Sequence, residues 1–313
     1  MRRLSRIRSK SSTNGRGARE RSRPAHTTLA SLKLADGRII KFPAVMGVLN
    51  VTPDSFSDGG RYLDPDRAVE HALQMEAAGA DIIDVGGESS RPVGAVEVPV
   101  EIELERVTPV LERLGKQLKV PISIDTRRAE VALVALDSGA AVINDISALQ
   151  HDPAMAPLAA RTRCAVVLMH MRGGPANHVK FASYRDVVRE VIEYLETRAL
   201  FAQEAGIARS RIILDPGLGF AKTAQHNLKL LAVLPKLCAL GYPVLVGASR
   251  KTFVARISGS RENELGFGTA AANAIAVAAG ASIVRVHDVS AGVAAVRMAA
   301  AIAGRNRQFN SNA

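Results

Sequence analysis

Eight short apolar runs in this 313-residue chain each finish on polar residues able to do chemistry: Asn50, Glu88, Asp125, Asn144-Asp145, His170, Asp215, Ser249 and His287-Asp288. Taken singly these signals are weak. Asp125 reads equally well as a helix N-cap, Asn144 as a turn residue, Gly217 to Gly219 as a tight loop, and His287 as a satisfied core histidine. Recurrence at the same end of successive runs is what points to a site. Asp125, Asn144 and Asp215 offer buried acceptors and donors but no cation, which suits a planar heterocycle with several N–H donors and a carbonyl on one edge. Arg250, Lys251, Arg285 and His287 gather at the ends of the last two runs and suit an anionic group. The residue types therefore describe a ligand with a polar ring at one end and an anion at the other.

The elements that must position these residues follow from periodicity. The runs are VMGVLNV (45–51), DIIDVGG (81–87), PISIDT (121–126), AVINDI (141–146), AVVLMH (165–170), RIILDPG (211–217), PVLVGAS (243–249) and IVRVHDV (283–289). They are rich in Val, Ile and Leu without strict alternation, the pattern of strands buried on both faces of a parallel sheet. Helices fill the gaps. Asp64-Pro65 supplies an N-cap and first-turn proline, with Val69, Leu73 and Ala77 recurring on one face. Ser183 with Asp186 makes a capping-box-like start before Val187, Val191 and Leu195. Gly79, Gly139, Gly206, Gly241 and Gly280 stand where C-terminal glycine caps belong. Upstream, Leu32–Leu34 and Arg38–Phe42 form a strand pair turning at Asp36-Gly37. Eight strand–helix units in about 270 residues predict an α/β protein, a (β/α)8 TIM barrel, whose eight polar strand ends meet on one face. An open doubly wound sheet is the rival architecture. The barrel is expected over residues 31–305, with a disordered basic N-terminal extension over 1–30 and a short C-terminal tail over 306–313.

The runs MGVLNVTPDSFSDGG (46–60), VGGESSRP (85–92), SIDT (123–126), INDI (143–146), LMHMRG (168–173), DPGLGFAKT (215–223), GASRKTF (247–253) and RVHDV (285–289) resemble, in order, the motif set of the dihydropteroate synthase family of pterin-binding barrels. The resemblance covers roughly residues 45–305. It implies that Asp125, Asn144, Asp215 and Lys251 hold a pterin ring, in a slot lined by Met169, Phe220 and Gly247. Asn50, Arg285 and His287 match pyrophosphate-binding positions. Asn50 also matches a ligand of a bound Mg2+, and Asp58 a first-loop residue that closes over the metal. Phe56, Ser90, Arg91 and Ser249 match positions around p-aminobenzoate. The implied reaction joins 6-hydroxymethyl-7,8-dihydropterin pyrophosphate to p-aminobenzoate, giving 7,8-dihydropteroate and pyrophosphate for folate biosynthesis, in an enzyme that is typically a homodimer. Asp125, Lys251, Arg285 and His287 would act on the reacting groups. An aniline nitrogen is already neutral at pH 7, so no strong base is required, and no nucleophile–base pair is evident.

One departure stands out. The family's second loop usually reads Ser/Thr-Arg-Pro-Gly-Ala, whereas this chain reads Ser90-Arg91-Pro92-Val93-Gly94-Ala95, one residue longer. Loop-length drift is one reading. The other is a reshaped p-aminobenzoate pocket that tolerates sulfonamides, which mimic that substrate. The rival functions are a pterin-dependent methyltransferase barrel, which would need neither SRK nor RVHDV, and an inactive pterin-binding homologue, which would be expected to lose Asn50, Lys251 or His287.

Composition narrows the partners. Residues 1–25 hold eight arginines and Lys10 against Glu20, so they carry +8 of the net +11 and leave only +3 to the rest, ordinary for an enzyme that handles anions. The tail is too poor in apolar residues to order itself. It lacks the apolar core of a secretory signal, and its Arg/Ser bias loosely resembles a transit peptide. No apolar run reaches the roughly 18–20 residues of a membrane span. Cys164 and Cys238 are too few for a disulfide framework or zinc cluster and read as buried thiols. Small-molecule substrates, no nucleic acid, no membrane and a cytoplasmic location are the expectations.

Overall fold

Alternation within each apolar run decides which side chains face the inside of the sheet, and the computed structural model, which describes residues 29–52, 64–88, 98–259 and 265–305, shows that choice directly. Strands β1 (Ser31–Lys33) and β2 (Ile39–Lys41) form an antiparallel hairpin. Strands β3 (Ala44–Asn50), β4 (Ile82–Gly86), β5 (Ile122–Asp125), β6 (Ala140–Asp145), β7 (Ala165–Met169), β8 (Ile212–Asp215), β9 (Leu245–Val246) and β10 (Ile283–Val286) form one parallel sheet in the order β8-β7-β6-β5-β4-β3-β10-β9. A parallel bridge between Leu214 and Val244 joins its two ends, with Leu214 N–H donating to Pro243 O at 2.9 Å. The sheet is a barrel, and the open doubly wound alternative is excluded.

Helices α1 (Pro65–Ala77), α2 (Val100–Gln117), α3 (Ala129–Asp137), α4 (Met155–Thr162), α5 (Val187–Glu204), α6 (Ala224–Ala232), α7 (Leu234–Cys238), α8 (Thr252–Ser258), α9 (Leu265–Ala278) and α10 (Val289–Ile302) surround it. Outward residues such as Val45, Ile83, Ile124, Ile143, Val166 and Val284 join the core beneath the helices. Inward residues, among them Met46, Ile82, Val142, Val167, Ile213 and Ile283, pack inside the barrel together with Leu32, Leu34, Ile40 and Phe42. The hairpin thus stoppers the N-terminal end with apolar side chains. Two residues further along the same inward register stand Asp84, Asn144, Met169, Asp215 and Arg285. Period two therefore places a layer that is polar except at Met169 directly above the apolar one.

Local signals set the helix starts. Asp64 caps α1, its carboxylate accepting from Asp66 N–H at 2.9 Å. The buried stripe of α1 is Ala68, Val69, Ala72 and Met75, while Leu73 is half-buried and Ala77 exposed, because repeated four-residue steps drift off a 3.6-residue turn. The N-cap of α5 is Asp186, accepting from Val188 and Arg189 N–H, rather than Ser183, whose carbonyl is taken by Arg172. Val187, Val191 and Leu195 are buried as expected. All five predicted glycine ends adopt positive φ. Cys164 is buried, Cys238 only half-buried, and both are free thiols. Among the described residues, no helix is long and apolar enough to cross a membrane.

Candidate active site

Four strands deliver one charged cluster to the C-terminal mouth of the barrel. The side chain of Asp84 on β4 is fully buried, and its Oδ2 accepts from Arg285 Nε at 2.6 Å and from Asn144 Nδ2 at 3.0 Å. Arg285 on β10 also donates from Nη2 to Asp125 Oδ2, on β5, at 2.7 Å. One guanidinium thus serves two carboxylates. Burial pushes the Asp125 carboxyl up to about 7; Arg285 opposes this, and Asp84, Glu103 and Glu88 add to it. For Arg285, desolvation is the largest influence and acts downward, but Asp84, Asp125 and Asp215 together turn the shift upward. The cluster holds more negative than positive charge and is poised to take up a cationic or N–H-rich ring.

Beside it lies an apolar slot. Met169, Phe220, Ile146 and Met171 form a small buried cluster separate from the main core. Lys251 stands over the Phe220 ring with its ammonium 4.0 Å from the centroid. Burial, with Arg285 nearby, lowers the lysine to about 8. Asp215, at the end of β8, accepts from Gly217 N–H at 2.7 Å, and burial raises it to about 6 against the pull of that N–H and of Lys251. Gly217 is required here. Its φ is +64°, and a Cβ would lie 2.1 Å from His170 O. At Gly247 a Cβ would meet Arg285 Cβ at an ordinary 3.9 Å, so the room a side chain would take beside Arg285 is open.

The structure brings most of the expected site residues together. Asp125 does not cap a helix, since α3 begins at Ala129 with Arg128 as N-cap. Asn144 bonds across the barrel rather than closing a turn, and His287 is half-buried at the rim, its Nδ1 3.0 Å from Ser249 Oγ. Asn50 ends β3 in register with Gly86, half-buried. Phe56, Asp58, Ser90, Arg91 and Val93 lie outside the described residues. Other polar strand ends serve the scaffold. Asp145 accepts from Ser147 and Leu149 N–H, Asp288 caps α10, and Glu88 pairs with Arg127 and Arg128.

Sequence reasoning passed over three groups. Asp84 was signalled by an acid in the middle of an otherwise apolar strand, DIIDVGG. Lys222 is buried with its ammonium against His170. Glu103, fully buried on α2, pairs with Arg128, which also donates to Val98 O at 2.6 Å. For Lys222 and Glu103 no linear pattern announces the partner.

The chain and its fold are similar to known proteins. Residues 46–287 match the family model described as pterin binding enzyme. The dihydropteroate synthase of Mycobacterium leprae (strain TN) is 50% identical over 264 residues, covering 82% of this chain and 92% of that relative. The solved structure of Xanthomonas albilineans dihydropteroate synthase with 4-aminobenzoic acid superposes with a TM-score of 0.81 at 45% identity, covering 88% of this chain and 98% of that one. A structure of the same enzyme in complex with 7,8-dihydropteroate gives 0.78 at 43% identity, covering 87% and 98%. The family match, the shared fold and identity over most of both chains place this protein in the pterin-binding enzyme family, among the dihydropteroate synthases.

Proposed function

We propose that the chain condenses 6-hydroxymethyl-7,8-dihydropterin pyrophosphate with p-aminobenzoate at the C-terminal mouth of its barrel, the reaction that makes 7,8-dihydropteroate for folate. The observation that carries this reading is the convergence of Asp125, Asn144, Asp215 and Arg285 from four strands beside the slot of Met169 and Phe220, under the ammonium of Lys251. Asp215 and Asn144 meet the amino-pyrimidinone edge, and Met169 and Phe220 hold the ring faces. The C–O bond from the pterin methylene to pyrophosphate breaks, and the amine nitrogen of p-aminobenzoate forms the new C–N bond and releases its proton to solvent. Asp125 stabilises positive charge developing on the pterin. Arg285, His287 and Lys251 offset the negative charge developing on the departing oxygens.

The chemistry of the donors suits Mg2+. Asn50, at the end of β3, would offer its amide oxygen and Asp58, by the family resemblance, its carboxylate. Both are hard oxygen ligands, and an ion that keeps waters and substrate phosphates needs no larger protein cage. When bound, it would neutralise pyrophosphate charge. Among the described residues there is no cluster of three His, Cys, Asp or Glu able to hold a metal unaided.

The working unit in this reading is a cytoplasmic homodimer. Phe267 and Ile275 on α9 and Met298 and Ile302 on α10 are exposed apolar side chains on two helices packed together, and a second copy would cover them. Sedimentation at micromolar concentration checks this, and a monomer refutes it. The catalytic reading is tested by pyrophosphate release. Release must require both the pterin pyrophosphate and p-aminobenzoate, and release with either one alone overturns it.

A further inference from the structure

Lys222 follows the loop that carries Phe220, yet its side chain is buried and turns to the protein interior. Its Nζ faces His170 Nδ1 at 2.9 Å, Phe220 O at 2.9 Å, Gly217 O at 3.0 Å and His170 O at 3.3 Å. Burial lowers the Lys222 ammonium to about 7, with Asp215 opposing and Arg172 and Lys251 adding to the shift. Three of these partners, however, are carbonyls, which only accept, so the cage itself selects the protonated amine with its three N–H groups. The imidazole then accepts at Nδ1 and keeps its proton on Nε2. Burial, with the charges of Lys222 and Arg172, holds His170 down at about 2, so the ring is neutral.

The partners belong to the two walls of the slot. His170 is the residue after Met169 at the end of β7, and Gly217 and Phe220 belong to the loop after Asp215. That loop has left-handed backbone at Gly217, Gly219 and Ala221, with φ of +64°, +82° and +48°. Ala221 carries a Cβ, and such a strained conformation persists where the surroundings over-determine it. Asn227 Oδ1 accepts from Gly219 N–H at 2.9 Å, and His178 Nδ1 accepts from Ala221 N–H at 2.9 Å. These bonds, to two buried side chains, hold the loop at Gly219 and Ala221. The Lys222 ammonium reaches across to β7 and joins one wall to the other.

We propose that Lys222 is a positioning residue for pterin recognition: its ammonium fixes the Met169 wall against the Phe220 wall and keeps Asp215 in register with both, with no contact to substrate. The proposal rests on the assignment of Met169, Phe220 and Asp215 to the pterin slot. A loosened slot weakens pterin binding, leaving p-aminobenzoate recognition and the chemical step on bound pterin in place.

Lys222→Met keeps the aliphatic stem and removes the charge. KM for the pterin pyrophosphate, and Kd for 6-hydroxymethylpterin by calorimetry, are expected to rise about tenfold, as a displaced binding wall predicts. At saturating pterin, kcat and the p-aminobenzoate KM should stay within about twofold. His170→Phe leaves the lysine and the ring's bulk but removes the acceptor at Nδ1, and should raise the same Kd about threefold. Asp215→Asn serves as the control for the slot itself. If Asp215→Asn weakens pterin while folded Lys222→Met and His170→Phe bind as wild type, the positioning role is overturned and Lys222 only stabilises the fold. A drop in kcat at unchanged pterin KM overturns it equally. If Asp215→Asn binds as wild type, the slot assignment has failed instead. Should Lys222→Met not fold, His170→Phe decides by the same criterion.

Discussion

Asp84 Oδ2 accepts from Arg285 Nε at 2.6 Å, joining β4 to β10 past the intervening strand β3. Because the Asp84 side chain is fully buried, this bond fixes where the guanidinium stands before any ligand arrives. The other arm of Arg285 is then aimed at Asp125, and the amide of Asn144 is oriented by the same carboxylate oxygen. One buried carboxylate of the cluster thereby sets the attitude of Arg285 and Asn144 directly, and of Asp125 through the guanidinium.

Asp84→Asn should therefore damage both stability and turnover. Arg285 keeps Asp125 but loses its buried partner, and breaking a buried pair by removing one charge costs about 3 kcal/mol. A similar loss of orientation should lower kcat/KM by at least about tenfold. Urea unfolding and steady-state kinetics on one preparation check both. A variant with wild-type midpoint and wild-type rate would show that Asp84 orients nothing.

His287→Ala and Arg285→Ala should part company in stability while agreeing in rate. Each removes a group that offsets charge on the departing oxygens, so turnover should fall at least about tenfold in both. His287 is half-buried beside Ser249, and its loss should leave the thermal midpoint nearly unchanged. Arg285→Ala also strips Asp84 and Asp125 of their shared counter-ion and should unfold at markedly lower temperature. Near wild-type rates in both variants would remove them from the anion site.

The pH profile should be narrow. Asp125 has to be ionised to support a cationic pterin, and its carboxyl is raised to about 7, so kcat/KM should climb as pH rises through about 7. Lys251, lowered to about 8, loses its charge above that value, so the rate should fall again. These limbs belong to the cluster as a whole rather than to isolated groups. Stability has its own sign. Asp125 and Asp215 ionise in the unfolded chain near their usual 3.8 but in the folded protein only near 7 and 6. The folded state therefore binds more protons between these values, and its stability contribution falls as pH rises from about 4 to about 7. In folded Asp125→Asn the acidic limb should shift or vanish, and a limb left in place assigns it to another group.

Val93 offers a test of drug response. We propose that the added loop residue lets the enzyme tolerate sulfonamides better than a relative with the shorter loop. Deleting Val93 should lower sulfonamide inhibition constants relative to the p-aminobenzoate KM by roughly ten- to a hundredfold, the range of one misplaced contact. An unchanged ratio makes the insertion drift.

Much of this architecture was legible in the linear order of residues. Apolar runs such as 81–87 and 141–146 announced strands buried on both faces, and the glycine ends and Asp64 announced where helices begin and stop. Alternation even separates neighbours. Asn144 turns into the barrel while Asp145 turns out to fasten a loop, and His287 stays at the rim while Asp288 caps α10. The four-residue spacing read for α1 held at Val69 and drifted off the buried face by Ala77, because a turn takes 3.6 residues, and at α5 Asp186 rather than Ser183 took the cap.

Pairing across the barrel was decided only by the tertiary structure. Arg285 lies 201 residues from Asp84 and 160 from Asp125, and nothing in a linear order of acids and bases says which cation neutralises which carboxylate. Lys222 meets His170 from 52 residues away for the same reason. The sequence by itself determined the strands, their inward faces and the polar character of their ends, because those depend on period and local capping. Barrel closure determined the charge pairs, the buried carboxylate among them and the perturbed acidities, because each depends on distances and burial that exist only once distant strands are brought to the same rim.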